Sequence, residues 1–245
     1  MVSSTNHDKK KFQVSSCELQ RNILQLTMSK SEVGPTQKIL NVWAIILILW
    51  SFYRITFRSD LPIWFDEFIS KPLVFLFPIY LFITKSEKKS FLKGVGIENK
   101  NRAKDILFGL GVGSLFFGIA IITKILKGAP FSFPIVSVTS IIWILSTIMA
   151  AIVEQILSTG FVFKRLSEES KNIAKPLLIS AVLFFFLHIP ILFGVDKISG
   201  STLVQMIMMN TLLSLTTSVV FLMRKNTISP IIVHALYLLS LPILL

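Results

Sequence analysis

The chain has 245 residues, 53% of them apolar and 16% charged, with a net charge of +12 and a mean hydropathy of +0.72. A water-soluble domain carries about a quarter charged residues, so this balance, with 21 Phe, excludes a soluble single core and indicates an integral membrane protein. The Lys and Arg cluster in short segments between apolar runs, which is the orienting pattern of a membrane protein rather than a phosphate-binding face, so no nucleic-acid partner is expected.

Residues 1–38 are polar and lack the apolar stretch of a signal peptide, so they read as a cytosolic tail, with Phe12 to Met28 as a short surface helix. The single cysteine, Cys17, excludes an internal disulfide and a Cys-based zinc site. Crossing the hydrocarbon takes about 20 apolar residues in a helix. By that rule seven spans are predicted, at about 39–57, 68–84, 105–126, 135–163, 177–193, 201–223 and 227–245. Pro72 and Pro78 interrupt the second and Lys71 lies near its start, which leaves a re-entrant segment open. The fourth is long enough to tilt or to protrude. The chain thus divides into the tail 1–38, the first spans with a basic loop at 39–104, and a core at 105–245.

Charge orients the bundle. The tail, the loops 85–104 and 164–176 and the pair Arg224–Lys225 hold 19 basic residues, and the alternate side holds six, Lys71 among them. The positive-inside rule then puts the N-terminus in the cytosol and the C-terminus outside. Gly109 and Gly113 lie on one face of the third span beside Ser114 and Gly118, as close helix packing requires. Arg54 and Lys124 sit at span ends, where such side chains snorkel to the external interface. Trp43, Trp50, Trp64 and Trp143 suit interfacial or packing roles.

The last four predicted spans contain no Lys, Arg or Asp, but they contain Glu154, His188 and His234. An Asp, Lys or Arg at a helix centre costs about 2.5–3.5 kcal/mol to insert, so ionisable groups there face the bundle interior. Counting from the nearest basic residue, Glu154 lies about 15 Å deep, His188 about 20 Å and His234 about 14 Å. Three groups on three helices therefore share a level. They suit either a zinc ion held by two His and one carboxylate, or a water activated by a general base with histidines polarising a carbonyl.

The local sequences around these residues resemble a known family. Val153-Glu154-Gln155-Ile156-Leu157-Ser158-Thr159-Gly160 is similar to the E-E-x-x-x-R motif of the CPBP family, the CAAX-protease and bacteriocin-processing membrane proteins also called Abi proteins. Phe184-Phe185-Phe186-Leu187-His188 matches its F-x-x-x-H motif, and the run from Asn226 through Pro230 to His234-Ala235 resembles its third region. The resemblance covers roughly residues 105–245. It implies an all-α multi-pass bundle of the CPBP type and an intramembrane endopeptidase. By position, Glu154 would be the carboxylate that activates water, and His188 and His234 its paired histidines. The family includes metal-dependent and glutamate-dependent members, so zinc on Glu154, His188 and His234 is the implied cofactor of the first kind.

Three positions depart from the pattern: Gln155 replaces the second Glu, Thr159 replaces the Arg, and Leu238 stands where an Asn usually follows the last His. Asn210 in the preceding span is the candidate to replace that Asn. Ser158 has no neighbouring base, and a Ser in a span usually bonds its own helix.

The resulting expectation is a membrane peptidase cutting a membrane-associated peptide or protein at the cytosolic side. The Lys-, Ile- and Phe-rich composition suggests a bacterial plasma membrane, where self-immunity to a bacteriocin or peptide maturation is the expected role. The alternative is a family member that has lost catalysis and acts as a scaffold or immunity protein by binding. A proton-relaying transporter ranks last, because the chain has no matching halves.

Overall fold

In the computed structural model the described residues are 34–57, 61–128, 137–192 and 200–244. The expected surface helix at Phe12 to Met28, and Cys17, lie outside them. Lys38–Leu245 is one compact unit. Every regular element among the described residues is a helix: α1 Pro35–Thr56, α2 Ile63–Ser86, α3 Phe91–Gly94, α4 Arg102–Leu126, α5 Val138–Glu169, α6 Ala174–Leu192, α7 Gly200–Arg224 and α8 Ile228–Leu244. Among them α1, α2, α4, α5 and most of α7 are long and apolar enough to cross a membrane, and α6 and α8 are shorter apolar helices. The protein is an all-α integral membrane bundle with about seven spans.

The second segment is one continuous helix of 24 residues that begins at Ile63, five residues before the predicted start. Pro72 and Pro78 do not break it. Asp66–Ser70, Pro72–Leu76 and Phe82–Ser86 take wide π-helical turns. In a π turn the backbone bond reaches one residue further than in an α turn. This spacing accommodates residues that supply no N–H. α5 contains a similar stretch at Ile156–Phe163 before it resumes as Lys164–Glu169, so the helix runs six residues past the predicted end of the fourth span.

One apolar cluster holds α1, α2, α5 and α6 together. Ile39, Trp43, Ile46 and Trp50 recur at the 3–4 residue interval of one helix face and pack with Phe75, Ile79, Ile83, Leu157, Phe161 and Leu187. Ile48 and Phe52 on α1, with Leu107, Leu115 and Ile119 on α4, are exposed, which is the surface hydrocarbon would solvate. On the other side of the bundle α4 packs along α8. A Cβ at Gly109 would lie 2.9 Å from Ser229 O, and one at Gly113 would lie 2.5 Å from Leu236 Cδ1. These two glycines form the expected packing face, whereas Gly118 meets nothing within 4 Å and is not part of it.

One end of the bundle, carrying the loop 87–101, Lys164, Lys175 and Arg224, is the basic end. It is tied by polar contacts that cross the whole sequence. Asn226 Nδ2 donates to Asp105 Oδ2 at 2.7 Å and to Glu98 O at 3.0 Å. Arg224 pairs with Asp105 at 2.7 Å, and Ser229 Oγ donates to Asp105 O at 2.8 Å. Thr227 donates its hydroxyl to Val95 O at 2.6 Å and its N–H to Gly96 O at 2.9 Å. Gly160 lies where these segments cross, because a Cβ there would come 2.6 Å from Val95 O. The polar turn 226–230 is thus a structural latch.

Arg165 completes this end by clasping Glu87, with Nε to Oε1 at 2.6 Å and Nη2 to Oε2 at 2.9 Å. Its guanidinium also lies 4.4 Å from the Phe161 ring centre. Burial pushes the Glu87 carboxyl up, but the hydrogen bonds and charge of Arg165 outweigh it and hold the group below the usual carboxylate range.

Candidate active site

Glu154 lies in the last turn of the regular first part of α5, His188 lies near the far end of α6, and His234 follows the first turn of α8. The structure brings all three together. Glu154 Oε2 lies 3.7 Å from His188 Nε2 and 3.7 Å from His234 Nε2. Phe184 packs on both rings, with centroids at 4.8 Å from His188 and 5.9 Å from His234.

Each ring is held through its other nitrogen. His188 Nδ1 donates to Phe184 O at 2.9 Å, one helical turn back. A carbonyl only accepts, so a neutral His188 presents the lone pair of Nε2 toward Glu154. His234 Nδ1 lies 3.1 Å from Gln155 Nε2. The Thr159 hydroxyl donates to Gln155 Oε1 at 2.6 Å, which leaves the amide nitrogen as the donor to His234. The ring proton of His234 then sits on Nε2, facing Glu154 as a donor. The two departures Gln155 and Thr159 are therefore partners, and together they assign opposite hydrogen-bonding roles to the two histidines.

Lys71 and Glu67 complete the site, and neither was expected there. Lys71 Nζ donates to Glu154 Oε1 at 2.7 Å and to Glu67 at 2.7 Å, and Lys71 is buried. The sequence pattern groups Lys71 with the external flanking charges because it puts the start of the second span at residue 68. With the span beginning at Ile63, the rule that flags Glu154 flags Lys71 and Glu67 too. Arg54 also differs from expectation. It does not snorkel, but pairs with Asp66 at 3.1 Å and packs against the Trp50 ring at 5.6 Å.

The remaining candidates separate clearly. Ser158 Oγ donates to Glu154 O at 2.7 Å, a bond within its own helix. Asn210 is buried on α7 but does not line the cavity beside Glu154, whereas Leu238 does. That cavity has a volume of about 570 Å³ and is walled by α2, α5, α6 and α8, with Trp143 among its lining residues.

A zinc ion fits the site poorly. Zinc takes nitrogen and oxygen donors at about 2.0–2.2 Å. Here the ammonium of Lys71 already occupies one Glu154 oxygen, and His234 turns a donor toward the other. Among the described residues no group of three His, Cys, Asp or Glu has the arrangement of a metal site.

Residues 136–239 match the family model described as type II CAAX prenyl endopeptidase Rce1-like. That family belongs to the CPBP intramembrane proteases, so the match bears out the resemblance read from the motifs. It runs from the start of α5 to Leu239 in α8 and takes in Glu154, His188 and His234. No curated protein and no solved structure matches the chain.

Proposed function

We propose that this Rce1-like, CPBP-type membrane protein is an intramembrane endopeptidase in which Glu154 activates a water for peptide hydrolysis. One observation carries the reading. Glu154 Oε2 stands 3.7 Å from an imidazole lone pair on one side and 3.7 Å from an imidazole N–H on the other. Both separations are too long for a direct hydrogen bond, which leaves the groups free to share a water beside them.

A water that donates one hydrogen to Glu154 Oε2 and the other to His188 Nε2 satisfies two acceptors and turns its oxygen lone pairs outward. Its oxygen attacks the scissile carbonyl carbon as Glu154 takes the proton. His234 Nε2–H donates to the oxygen that becomes negative in the tetrahedral intermediate. The proton then passes from Glu154 to the amide nitrogen, the C–N bond breaks, and a carboxylate and an amine leave. Lys71 holds the opposite oxygen of Glu154, so the carboxylate keeps one orientation throughout. Gln155 and Thr159 act through His234 as positioning residues.

The paired departures also bear on the alternative of a decayed, binding-only protein. Decay predicts independent substitutions, whereas Gln155 and Thr159 hydrogen-bond to each other and reach His234. Self-immunity to a bacteriocin or maturation of a peptide precursor remains the proposed role. The decisive test is cleavage of a membrane-peptide library by purified protein, read by mass spectrometry, with and without chelator. Wild type is expected to cleave in chelator, and Glu154→Gln is expected to cleave nothing. No cleavage by either protein, with any cellular phenotype intact in Glu154→Gln, would overturn the peptidase reading.

A further inference from the structure

We infer that Ser146 is a substrate-binding residue, whose hydroxyl anchors the backbone of an extended peptide about two helical turns from Glu154. That the occupant is a substrate rests on the proposed peptidase reading. Ser146, Ala150 and Glu154 recur at four-residue steps on α5 and all line the cavity, so they form one stripe. Ile63, Glu67 and Lys71 form a matching stripe on α2. The eight residues from Ser146 to Glu154 cover about 12 Å of helix.

The Ser146 hydroxyl differs from the other hydroxyls of the spans in what it leaves unbonded. A Ser or Thr within a span ordinarily donates to a carbonyl of its own helix. Thr84 does so to Tyr80 O at 2.7 Å, Ser158 to Glu154 O at 2.7 Å, Ser180 to Leu177 O at 3.0 Å and Ser240 to Tyr237 O at 2.7 Å. Ser146 is 3% exposed and lines the cavity, yet its Oγ has no hydrogen-bond partner among the described residues. A buried group left unpaired costs the full penalty of its removal from water. A cavity wall that keeps one favours an occupant that bonds it. On α8, Leu238 and Pro242 line the same cavity. Pro242 has no N–H, so the Leu238 carbonyl one turn back lacks its usual helical donor.

These two groups complement a peptide backbone rather than a charge. The Ser146 hydroxyl donates to a carbonyl, and the Leu238 carbonyl accepts an N–H. An extended chain offers both. The charges of the cavity are engaged with each other, since Lys71 bonds Glu67 and Glu154 at 2.7 Å each. An extended chain advances about 3.3 Å per residue, so the distance from Glu154 to Ser146 takes roughly three to four residues. The water-activating carboxylate and the Ser146 hydroxyl thus hold one short stretch of substrate at its two ends.

The test is a split between binding and turnover in the full chain. The probe is the membrane-peptide library, then the peptide from it that wild type cleaves fastest. Ser146→Ala is expected to raise KM about 3–10-fold, the loss of one neutral hydrogen bond, with kcat nearly unchanged. Its thermal midpoint should equal or exceed that of wild type, because the protein alone has no bond to lose there. Ser146→Thr keeps the hydroxyl and should keep most of the wild-type KM, and Ser180→Ala should not change it. Shortening the peptide to fewer than three residues on one side of the cut should raise KM in wild type and add nothing in Ser146→Ala. An unchanged KM in Ser146→Ala, an equal rise in Ser180→Ala, or the lowered thermal midpoint of a structural residue would overturn the inference. Retention of the same library on immobilised Glu154→Gln protein reads the anchor without turnover. If adding Ser146→Ala weakens retention while wild type cleaves nothing, the peptidase reading fails and the anchor stands. If wild type cleaves and retention ignores Ser146→Ala, the anchor fails and the peptidase reading stands. If nothing is cleaved and nothing retained, both fail.

Discussion

Lys71 and Glu154, 83 residues apart in the chain, meet at 2.7 Å in the interior of a membrane bundle. The pair fixes one oxygen of the carboxylate and leaves the other facing two imidazoles. Removing one partner of a buried pair strands the other and costs about 3–5 kcal/mol. Lys71→Met is therefore expected to lower the thermal midpoint of the detergent-solubilised protein sharply. The double variant Lys71→Met with Glu154→Leu should recover part of that loss, and an equal or larger loss in the double would show that the pair carries no coupling.

Glu154→Gln keeps the side-chain shape and an oxygen for Lys71 but no longer accepts a proton. Turnover should fall by about 10²–10⁴-fold, the usual contribution of a general base, with a smaller loss of thermal midpoint than in Lys71→Met, because Glu67 still pairs with Lys71. The check is the rate of peptide cleavage by protein shown to be folded.

Gln155→Glu installs the second Glu of the motif that this segment resembles and should nonetheless slow the proposed peptidase. A carboxylate at this position accepts from His234 Nδ1–H, which takes the proton from Nε2 and removes the donor facing the scissile carbonyl. Loss of such a donor costs about 10²–10³-fold in kcat, with KM nearly unchanged. Adding Thr159→Arg to the same chain is expected to give the new carboxylate a partner without recovering kcat. Single-turnover kinetics of both variants against wild type provide the test.

Much of this site is legible in the sequence because membrane insertion makes ionisable residues conspicuous. Glu154, His188 and His234 stand out in four otherwise uncharged spans, and counting residues from the nearest basic loop places them within about one helical turn of each other in depth. Lys71 and Glu67 are hidden by a boundary, since a span starting at 68 turns a buried Lys into an ordinary flanking charge. The partnership of Gln155 and Thr159 is equally hidden, because an i,i+4 pair of uncharged polar residues looks like two substitutions until the ring of His234 appears beside it. The π turns at Asp66–Ser70 and Ile156–Phe163 have no signal at all: shifting a backbone bond by one residue leaves composition and hydropathy unchanged.

The clasp of Arg165 on Glu87 gives a pH dependence whose sign follows from the lowered carboxyl. A group with a folded-state pKa below its unfolded one adds stability above the unfolded value and loses it as pH falls through the folded one. Wild type should therefore be more stable than Glu87→Gln at neutral pH, and the difference should vanish in acid below the usual carboxylate range. Thermal unfolding of both proteins across that range measures it. A gap independent of pH would assign the difference to packing.

Gly160 tolerates no side chain, since a Cβ would press on Val95 O, a backbone atom with no rotamer to escape into. Gly160→Ala is expected to cost about 1–3 kcal/mol, the usual range for overpacking. Gly111→Ala, where nothing lies within 4 Å, should be neutral or slightly stabilising in the same melting experiment.

His234 lies on the last helix, while its counterparts come from α2, α5 and α6. During synthesis Lys71 and Glu154 emerge first and can neutralise each other inside the bilayer long before that ring exists. A chain still held by the ribosome therefore lacks one of the two rings that face Glu154 in the finished bundle. The cluster is complete only once α8 has packed on the glycines of α4, with Asn226 bonded to Asp105 beside it.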